Sequence, residues 1–219
     1  MRNIIGNLQL LWLLKSSPAL FSRLFSLHWY RNTLEQWVAP LHKPDAKVLE
    51  VGCAGGNFAR VLAGLNMEVW AVDRSPEMII KAQQTPGTVR FKQADAMQLP
   101  FPERHFDLVM VASLINVVEA PLAALSEMCR VCRVGGTVSV LVPNLAFTNE
   151  DAKHYLETEQ LTGFSRAAFS TWHRLGKKMD IDGLQGYFKD SGMINVTTKL
   201  LLGGMVVAIC GEVKASSSG

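Results

Sequence analysis

The stretch of sequence that decides the fold is Val48-Leu-Glu-Val-Gly-Cys-Ala-Gly-Gly-Asn-Phe-Ala59. An apolar run over 47–51 ends in glycines, and a helical spacing of apolar residues begins at Phe58. This order predicts a strand, a tight turn and the start of a helix. In an open parallel sheet, the turn at the carboxyl end of a strand is where ligands bind, and glycine lets the backbone approach them closely.

The spacing of the glycines excludes the usual dinucleotide fingerprint. Counted from Gly52, that fingerprint requires glycines two and five residues later, where this chain has Ala54 and Asn57. What remains is Glu50, two residues before Gly52, and Gly56, four residues after it. The turn therefore favours a ligand other than a nicotinamide dinucleotide.

A second acidic residue, Asp73, closes the next apolar run at 68–73. A carboxylate at the tip of the second strand can accept hydrogen bonds from both hydroxyls of a ribose. A short-chain oxidoreductase would also need Tyr-x-x-x-Lys, and Tyr30, Tyr155 and Tyr187 are each followed four residues on by something other than lysine. An NAD(P)-dependent oxidoreductase is thus the weaker alternative.

Four segments in this order resemble the class I S-adenosylmethionine-dependent methyltransferases, in their ubiquinone/menaquinone-type, small-molecule branch. They are the glycine motif at 48–56, Asp73-Arg74-Ser75-Pro76-Glu77-Met78, Ala94–Phe101 ahead of Phe106–Val109, and Glu127–Val131 leading to Gly135-Gly136. The chain departs from the family pattern at Ala54, where the family usually has its middle glycine. Val134 likewise replaces the usual proline before the glycine pair.

The resemblance implies S-adenosylmethionine as the cofactor and assigns roles on the first two strands. Gly52, Ala54 and Gly56 would pass under the methionine and ribose parts. Glu50 would order the turn and meet the ammonium group through water, and Asp73 would take the ribose hydroxyls.

The same resemblance places the adenine and the methyl group. Arg74 and Met78 would border the adenine. Asp95 would accept a hydrogen bond from the adenine amino group, and Ala96 would contact the ring through its backbone. Ala112 and Ser113, at the end of the fourth strand, would line the floor beside the methyl group. No residue is assigned to a metal.

The pattern along the chain predicts an α/β fold, a Rossmann-like doubly wound, mostly parallel seven-stranded sheet. The predicted strands are 47–51, 68–73, 88–93, 106–112 and 137–142, with helices at 57–65, 76–84 and 121–132. Two further strands at 193–202 and 205–212, separated by Gly203-Gly204, predict a tight antiparallel hairpin. The hairpin is typical of the methyltransferase fold and unusual in dinucleotide folds.

We expect a single domain over 1–219. It divides into an N-terminal helical cap (1–42), a cofactor-binding core (43–143), a lid insertion after strand 5 (144–182), and a last helix with the hairpin (183–214). The insertion is rich in large apolar and aromatic residues, and it leaves the sheet at its ligand-binding edge. We therefore predict that the insertion and the cap cover the pocket.

Methyl transfer is a direct displacement, so the protein mainly aligns the reactants and excludes water. Candidate bases are His154, Tyr155 and His173. After strand 4 the chain lacks an Asn-Pro-Pro-aromatic motif, and no Pro-Cys pair occurs anywhere. These absences predict a small, apolar or aromatic acceptor, with oxygen or carbon favoured over nitrogen as the accepting atom.

Composition limits the partners. A net charge of +3 and a pI of about 8.7 are too mild for nucleic-acid binding. Four cysteines form no disulfide framework, and Cys129-x-x-Cys132 has no second pair for a metal site. Reduced thiols indicate the cytoplasm. The apolar run Ile4–Leu14 is interrupted by Asn and Gln and is shorter than the ~20 residues that span a bilayer.

Two other functions remain open on the sequence. The chain could be a non-catalytic S-adenosylmethionine-binding protein or a partner subunit, since no base is certain. Residues 4–27 could also attach to a membrane surface, with a lipid-like acceptor, although this is not favoured. The sequence carries no signal of the oligomeric state.

Overall fold

The computed structural model describes residues 23–25 and 27–215 of the chain. Its core is a seven-stranded sheet in the order β3-β2-β1-β4-β5-β7-β6. The strands are β1 Lys47–Val51, β2 Glu68–Asp73, β3 Arg90–Gln93, β4 Phe106–Ala112, β5 Cys132–Pro143, β6 Met193–Leu201 and β7 Val206–Val213. The first five are parallel, and β7 runs antiparallel to both neighbours. The predicted fold class is confirmed.

Helices cover both faces of this sheet. They are α1 His28–Val38, α2 Asn57–Gly64, α3 Pro76–Gln83, α4 Pro121–Val131, α5 Asn149–Thr158, α6 Gly163–Leu175 and α7 Ile181–Asp190, with short 3-10 turns at Ala39–Leu41 and Leu202–Gly204. Among the described residues, no helix is long and apolar enough to cross a membrane.

Each face has its own hydrophobic core. On one face α1, α2, α5 and α6 pack on the sheet. There Trp37 is 1% exposed, stacks on Phe58 with ring centroids 5.4 Å apart, and donates its indole N–H to Ser139 Oγ at 2.8 Å. On the other face α4 and α7 bury Leu125 and Phe188 completely. Burial on both faces is what holds a mostly parallel sheet together.

Two elements differ from the sequence prediction. The hairpin forms, but Leu201 pairs with Val206, so four residues connect the strands instead of two glycines. Leu202 and Met205 bury their side chains in the core, which draws both of them out of the ladder. Strand β5 also begins earlier than predicted, at Cys132, because the chain pairs once with Phe106 before an irregular stretch interrupts the register.

The N-terminal prediction is covered only in part. Within the predicted helical cap, Tyr30, Leu34 and Trp37 lie on α1. The earlier part of the cap, with most of the apolar stretch 4–27, lies outside the described residues.

Candidate functional site

The glycine turn after β1 forms as predicted. The backbone N–H groups of Gly52 and Cys53 both donate to the carbonyl of Val72, at 2.8 and 2.9 Å, which ties the turn to the end of β2. Gly52 has a φ of 80° and Gly56 a φ of 74°. Both values lie in the left-handed region, which glycine adopts without a steric penalty. The backbone shape of the turn is therefore already enough to favour glycine at both positions.

Ala54 takes the same kind of conformation without the freedom of glycine. Its φ is 45°, in the left-handed region that costs a residue with a Cβ roughly 1–2 kcal/mol. Its N–H donates to Asp73 Oδ2 at 2.8 Å. That charge-assisted hydrogen bond helps to hold the strained residue in place.

Asp73 ends β2 beside this turn. While Oδ2 accepts from Ala54, Oδ1 accepts from the backbone N–H of Ser75 at 2.9 Å. A carboxylate oxygen has two lone pairs, so each oxygen can still accept one more hydrogen bond. The half-exposed carboxylate is thus fixed in orientation and suited to a pair of ribose hydroxyls.

Glu50 is the buried acid of the site. The residue is 4% exposed, and Oε2 has no hydrogen-bond partner among the described residues. Burial, helped by the charge of Asp73, raises its pKa to about 8, although the Ala59 backbone N–H and Arg60 act in the opposite direction. A buried acceptor without a partner is costly, so its retention suits a ligand that brings a donor. The ammonium group of a methionine moiety is such a donor, and the residues present fit the implied cofactor.

Arg60 and Phe91 support the glycine turn, and the sequence analysis missed both. Arg60 Nη1 donates to the Gly55 carbonyl at 3.0 Å, and its guanidinium lies over the Phe91 ring at 5.4 Å. A Cβ built on Gly56 would lie 2.5 Å from that same ring. Gly56 is therefore needed for packing against β3. No local pattern links these three residues, since they meet only in the folded chain.

The residues assigned to the adenine lie at the same edge of the sheet. Asp73 pairs with Gln93 in register, which brings the chain after β3 beside the chain after β2. Asp95 is exposed, and its Oδ1 accepts from the Met97 N–H at 2.8 Å, which leaves Oδ2 for an adenine amino group. Met78 and Ala96 are buried, at 9% and 8% exposure. Arg74 is exposed and contributes its carbonyl, which accepts from the side chain of Gln93.

The chain after β4 leans over the glycine turn. Ala112 ends β4, and Ser113 has a φ of 53° and donates its N–H to the Leu141 carbonyl at 2.7 Å. The sharp bend brings Leu114 against the turn, because a Cβ on Gly52 would lie 3.1 Å from Leu114 Cδ2. An apolar side chain therefore closes this side of the site.

Two of the three candidate bases lie together on a cavity. His154 and Tyr155 line a space of about 420 Å³ between α1, α5 and the turn at Leu202–Gly203. No residue assigned to the cofactor lines this cavity. The Tyr155 ring stacks on Phe169 at 4.9 Å, and burial together with the charge of Glu159 raises its pKa to about 12. Tyr155 therefore stays protonated near neutral pH.

His173 lies elsewhere, in the interior between α5 and α6. It is 5% exposed, packs edge-on against Phe147, and makes a 3.0 Å hydrogen bond from Nε2 to Asn149 Oδ1. Its Nδ1 is buried and has no hydrogen-bond partner in the part of the chain that the structure describes. Burial and the charge of Lys178 lower its pKa, against the weaker effect of Asp151. The ring is thus a neutral imidazole, with Nε2–H donating and Nδ1 able to accept a proton.

Aromatic side chains connect α1 and α6. Trp29 stacks on Trp172 at 5.9 Å, and Tyr30 packs against both rings. Burial, followed by the charge of Glu50, raises the pKa of Tyr30. The helical cap and the insertion therefore do meet, through α1 and α6. The sequence predicted these aromatics as a core or lid, with the lining of an apolar substrate pocket as a second role, and gave no sign that the rings of α1 stack on those of α6.

Comparisons with known proteins agree with this geometry. Residues 49–140 match the family model described as a methyltransferase domain. A phosphatidylethanolamine N-methyltransferase of Cereibacter sphaeroides is 36% identical over 109 residues, which are 47% of this chain and 53% of the relative. A ubiquinone/menaquinone biosynthesis C-methyltransferase of Laribacter hongkongensis is 37% identical over 111 residues, 45% of this chain and 43% of the relative. The chain thus spans about half the length of these curated relatives.

Solved structures extend the likeness over most of the fold. A SAM dependent methyltransferase from Aquifex aeolicus superposes with a TM-score of 0.64, over 82% of this chain and 89% of that one, at 16% identity. That likeness concerns the fold, whereas the matched domain, 49–140, contains the glycine turn, Asp73 and Asp95. Residues 49–140 are thus similar in sequence to a methyltransferase domain, and the described fold resembles that of a solved SAM dependent methyltransferase.

Proposed function

We propose that the protein transfers a methyl group from S-adenosylmethionine to a small acceptor. The observation that carries the proposal is the pair of carboxylates at the ends of β1 and β2. Within the described chain, Glu50 is buried with an unpartnered oxygen, and Asp73 is held by two backbone N–H groups. When bound, the cofactor supplies an activated methyl group on a sulfonium centre.

The protein contributes to the reaction by aligning the reactants and excluding water. Leu114 lies over the turn at Gly52, and the aromatic rings of Tyr30 and Trp172 pack together between α1 and α6. These apolar walls support an apolar or aromatic acceptor. Oxygen or carbon is our preferred accepting atom, because the chain after β4 reads Ser-Leu-Ile-Asn in place of Asn-Pro-Pro-aromatic.

His173 is the best supported of the three candidate bases. Its neutral imidazole has a buried Nδ1 that accepts no hydrogen bond from any described residue, and a general base needs a free lone pair. Tyr155 is disfavoured because its pKa is raised to about 12. His154 is exposed and lies on the cavity beside α5.

A non-catalytic S-adenosylmethionine-binding protein is the second candidate. The observation that favours it is the separation of the cofactor residues from the cavity that holds His154 and Tyr155. For either function we propose the cytoplasm as the compartment, since all four cysteines are free, as in a reducing environment.

Two measurements test the proposal. Calorimetric titration of the full chain should show binding of S-adenosylmethionine and of its demethylated product, and no binding of NADH. Incubation with radiolabelled S-adenosylmethionine and a set of phenols, quinols and amines should then label an oxygen or carbon acceptor. Binding of NADH alone would overturn the cofactor, and cofactor binding without labelling of any acceptor would favour the non-catalytic function.

A further inference from the structure

Three loops meet at the edge of the sheet where β4 and β5 end. The Asn116 side chain, from the loop after β4, donates to the Lys177 carbonyl at 2.8 Å. The Leu145 N–H, from the loop after β5, donates to the Met179 carbonyl at 2.9 Å, and the Met179 N–H donates to Pro143 at 2.9 Å. These hydrogen bonds join the two loops to the segment between α6 and α7 and fix their relative positions.

The loops after β4 and β5 and the carboxyl end of α6 each present a large apolar side chain to solvent. Val117 is 57% exposed, Leu145 is 58% exposed and Leu175 is 65% exposed. A single exposed apolar side chain is ordinary, but three on segments that hydrogen bonds hold together suit an apolar patch, which is costly to leave in water. Leu175 is the most exposed large apolar residue in the described part of the chain.

Cations flank Leu175, one of these apolar side chains. Arg174 and Lys177 are exposed on either side of Leu175, and Lys178 follows, with its Nζ 3.5 Å from the Phe147 carbonyl. None of the three cations forms a salt bridge within residues 23–25 and 27–215. The acids in the same loops are Glu119 and Asp180, and Asp180 caps α7 by accepting from the Gly183 N–H.

This surface lies beside the cofactor site. β4 neighbours β1, and β5 neighbours β4, so the loops leave the sheet at the edge that carries Gly52 and Asp73. Apolar side chains that project among cations match the interfacial layer of a bilayer, where acyl chains lie under anionic headgroups.

We propose that this docking face, formed by Val117, Leu145, Leu175, Arg174 and Lys177, binds the surface of a membrane that contains anionic phospholipid. The leucines and the valine enter the interface, and the cations meet the phosphates. The face would then present the cofactor edge of the sheet to an apolar acceptor in the bilayer. That last role rests on the proposed function, whereas the binding itself does not.

The test is co-sedimentation of the full chain with vesicles, without cofactor or acceptor. The chain should sediment with vesicles of equal parts phosphatidylglycerol and phosphatidylcholine, much less with phosphatidylcholine alone, and less as salt is raised. Lys177→Glu should weaken binding by about fivefold or more, as expected for a cation near an anionic surface. The double variant Leu145→Ser, Leu175→Ser should weaken it by about tenfold, from the lost apolar burial.

Matched controls separate this face from the rest of the protein. Ile80 is 60% exposed on α3, and Lys43 is exposed ahead of the amino end of β1, so Ile80→Ser and Lys43→Glu should bind as the parent does. Every variant must keep the parent's circular dichroism and its affinity for S-adenosylmethionine. If the docking-face variants bind vesicles as tightly as the parent, or if the parent does not bind vesicles, the inference is wrong. The proposed function is tested separately, because methyl transfer to a dissolved acceptor would support it even then.

Discussion

The carboxylate of Asp73 accepts a hydrogen bond from the Ala54 backbone N–H at 2.8 Å, which joins the end of β2 to the turn after β1. The same side chain holds the Ser75 N–H at the start of α3. The residue proposed to bind ribose is therefore also a support of the turn that the cofactor lies on. Loss of Asp73 should affect binding both directly and through the turn.

Asp73→Ala should reduce affinity for S-adenosylmethionine by well over tenfold. Hydrogen bonds to a charged group are worth about 1.5–3 kcal/mol each, and about 1.4 kcal/mol is a factor of ten. Asp95→Asn should cost less, because the amide oxygen still accepts from the adenine amino group. Calorimetric titration measures both, with thermal melts to confirm folding. A larger loss for Asp95→Asn would show that the adenine is misplaced.

Ala54→Gly should stabilise the protein slightly, by roughly 0.5–1 kcal/mol. Glycine removes the left-handed strain at a φ of 45°, and only part of that gain is lost to the greater freedom of the unfolded chain. Ala63→Gly, in the last turn of α2, is the matched control at a residue with an ordinary helical backbone and should destabilise, by up to about 0.5–1 kcal/mol. Urea denaturation compares the two. If Ala54→Gly destabilises as much as the control, the turn does not strain Ala54.

Glu50→Gln should remove the pH dependence that Glu50 gives to stability. The unfolded carboxyl releases its proton near its ordinary value of 4.5, while the folded one keeps it until about 8. Between these values the unfolded chain binds fewer protons, so the free energy of unfolding falls as the pH rises. The glutamine variant lacks this fall and should melt higher than the parent at pH 8 but not at pH 4.5.

The same variant should bind the cofactor poorly, because a neutral amide cannot pair with an ammonium group as a carboxylate does. Cofactor binding to the parent should also release a proton, which appears as a dependence of the calorimetric heat on the buffer. A Glu50→Gln protein that gains no stability at pH 8 and binds the cofactor normally would remove Glu50 from the site.

Local sequence was enough to predict the strands that carry the site. β1 and β2 have the predicted bounds because each is an apolar run that stops at a residue with a special role, Gly52 or Asp73. The start of β5 was missed because Val134-Gly135-Gly136 reads as a turn, whereas the chain pairs at Cys132 before that stretch. A pairing across the sheet decided that boundary.

The supporting residues could not be predicted for the same reason. Phe91 and Leu114 act by packing against glycines 35 and 62 positions away in sequence, Gly56 and Gly52. The side chain of Arg60 also reaches the carbonyl at the end of α3. Such contacts depend on how the layers pack, and nothing in the local pattern of apolar and polar residues encodes them. The candidate histidines likewise looked equivalent until burial separated His173 from His154.

His173→Gln tests the proposed base with its structural contact preserved. A glutamine amide can still donate to Asn149 Oδ1 in place of Nε2–H, but it cannot accept a proton as Nδ1 does. Once an acceptor is known, kcat should fall by about 10²–10⁴-fold, the usual contribution of a general base. His154→Gln is the control and should leave kcat nearly unchanged.

The pH dependence distinguishes a base from a packing residue. The pKa of His173 is lowered from its ordinary value of 6.5, so the imidazole of the parent is unprotonated and able to act as a base at any pH above that lowered pKa. The rate should therefore fall as the pH drops through the lowered pKa. The glutamine variant should lose this acidic limb. Stability gives an independent check. As the pH falls below 6.5, the unfolded chain protonates its imidazole before the folded chain does, so the free energy of unfolding of the parent falls in acid. The His173→Gln variant should lose less stability in acid, because it lacks this imidazole. A variant that gains acid stability but keeps both its rate and its acidic limb would show that His173 only packs between α5 and α6, and that the proton leaves by another route.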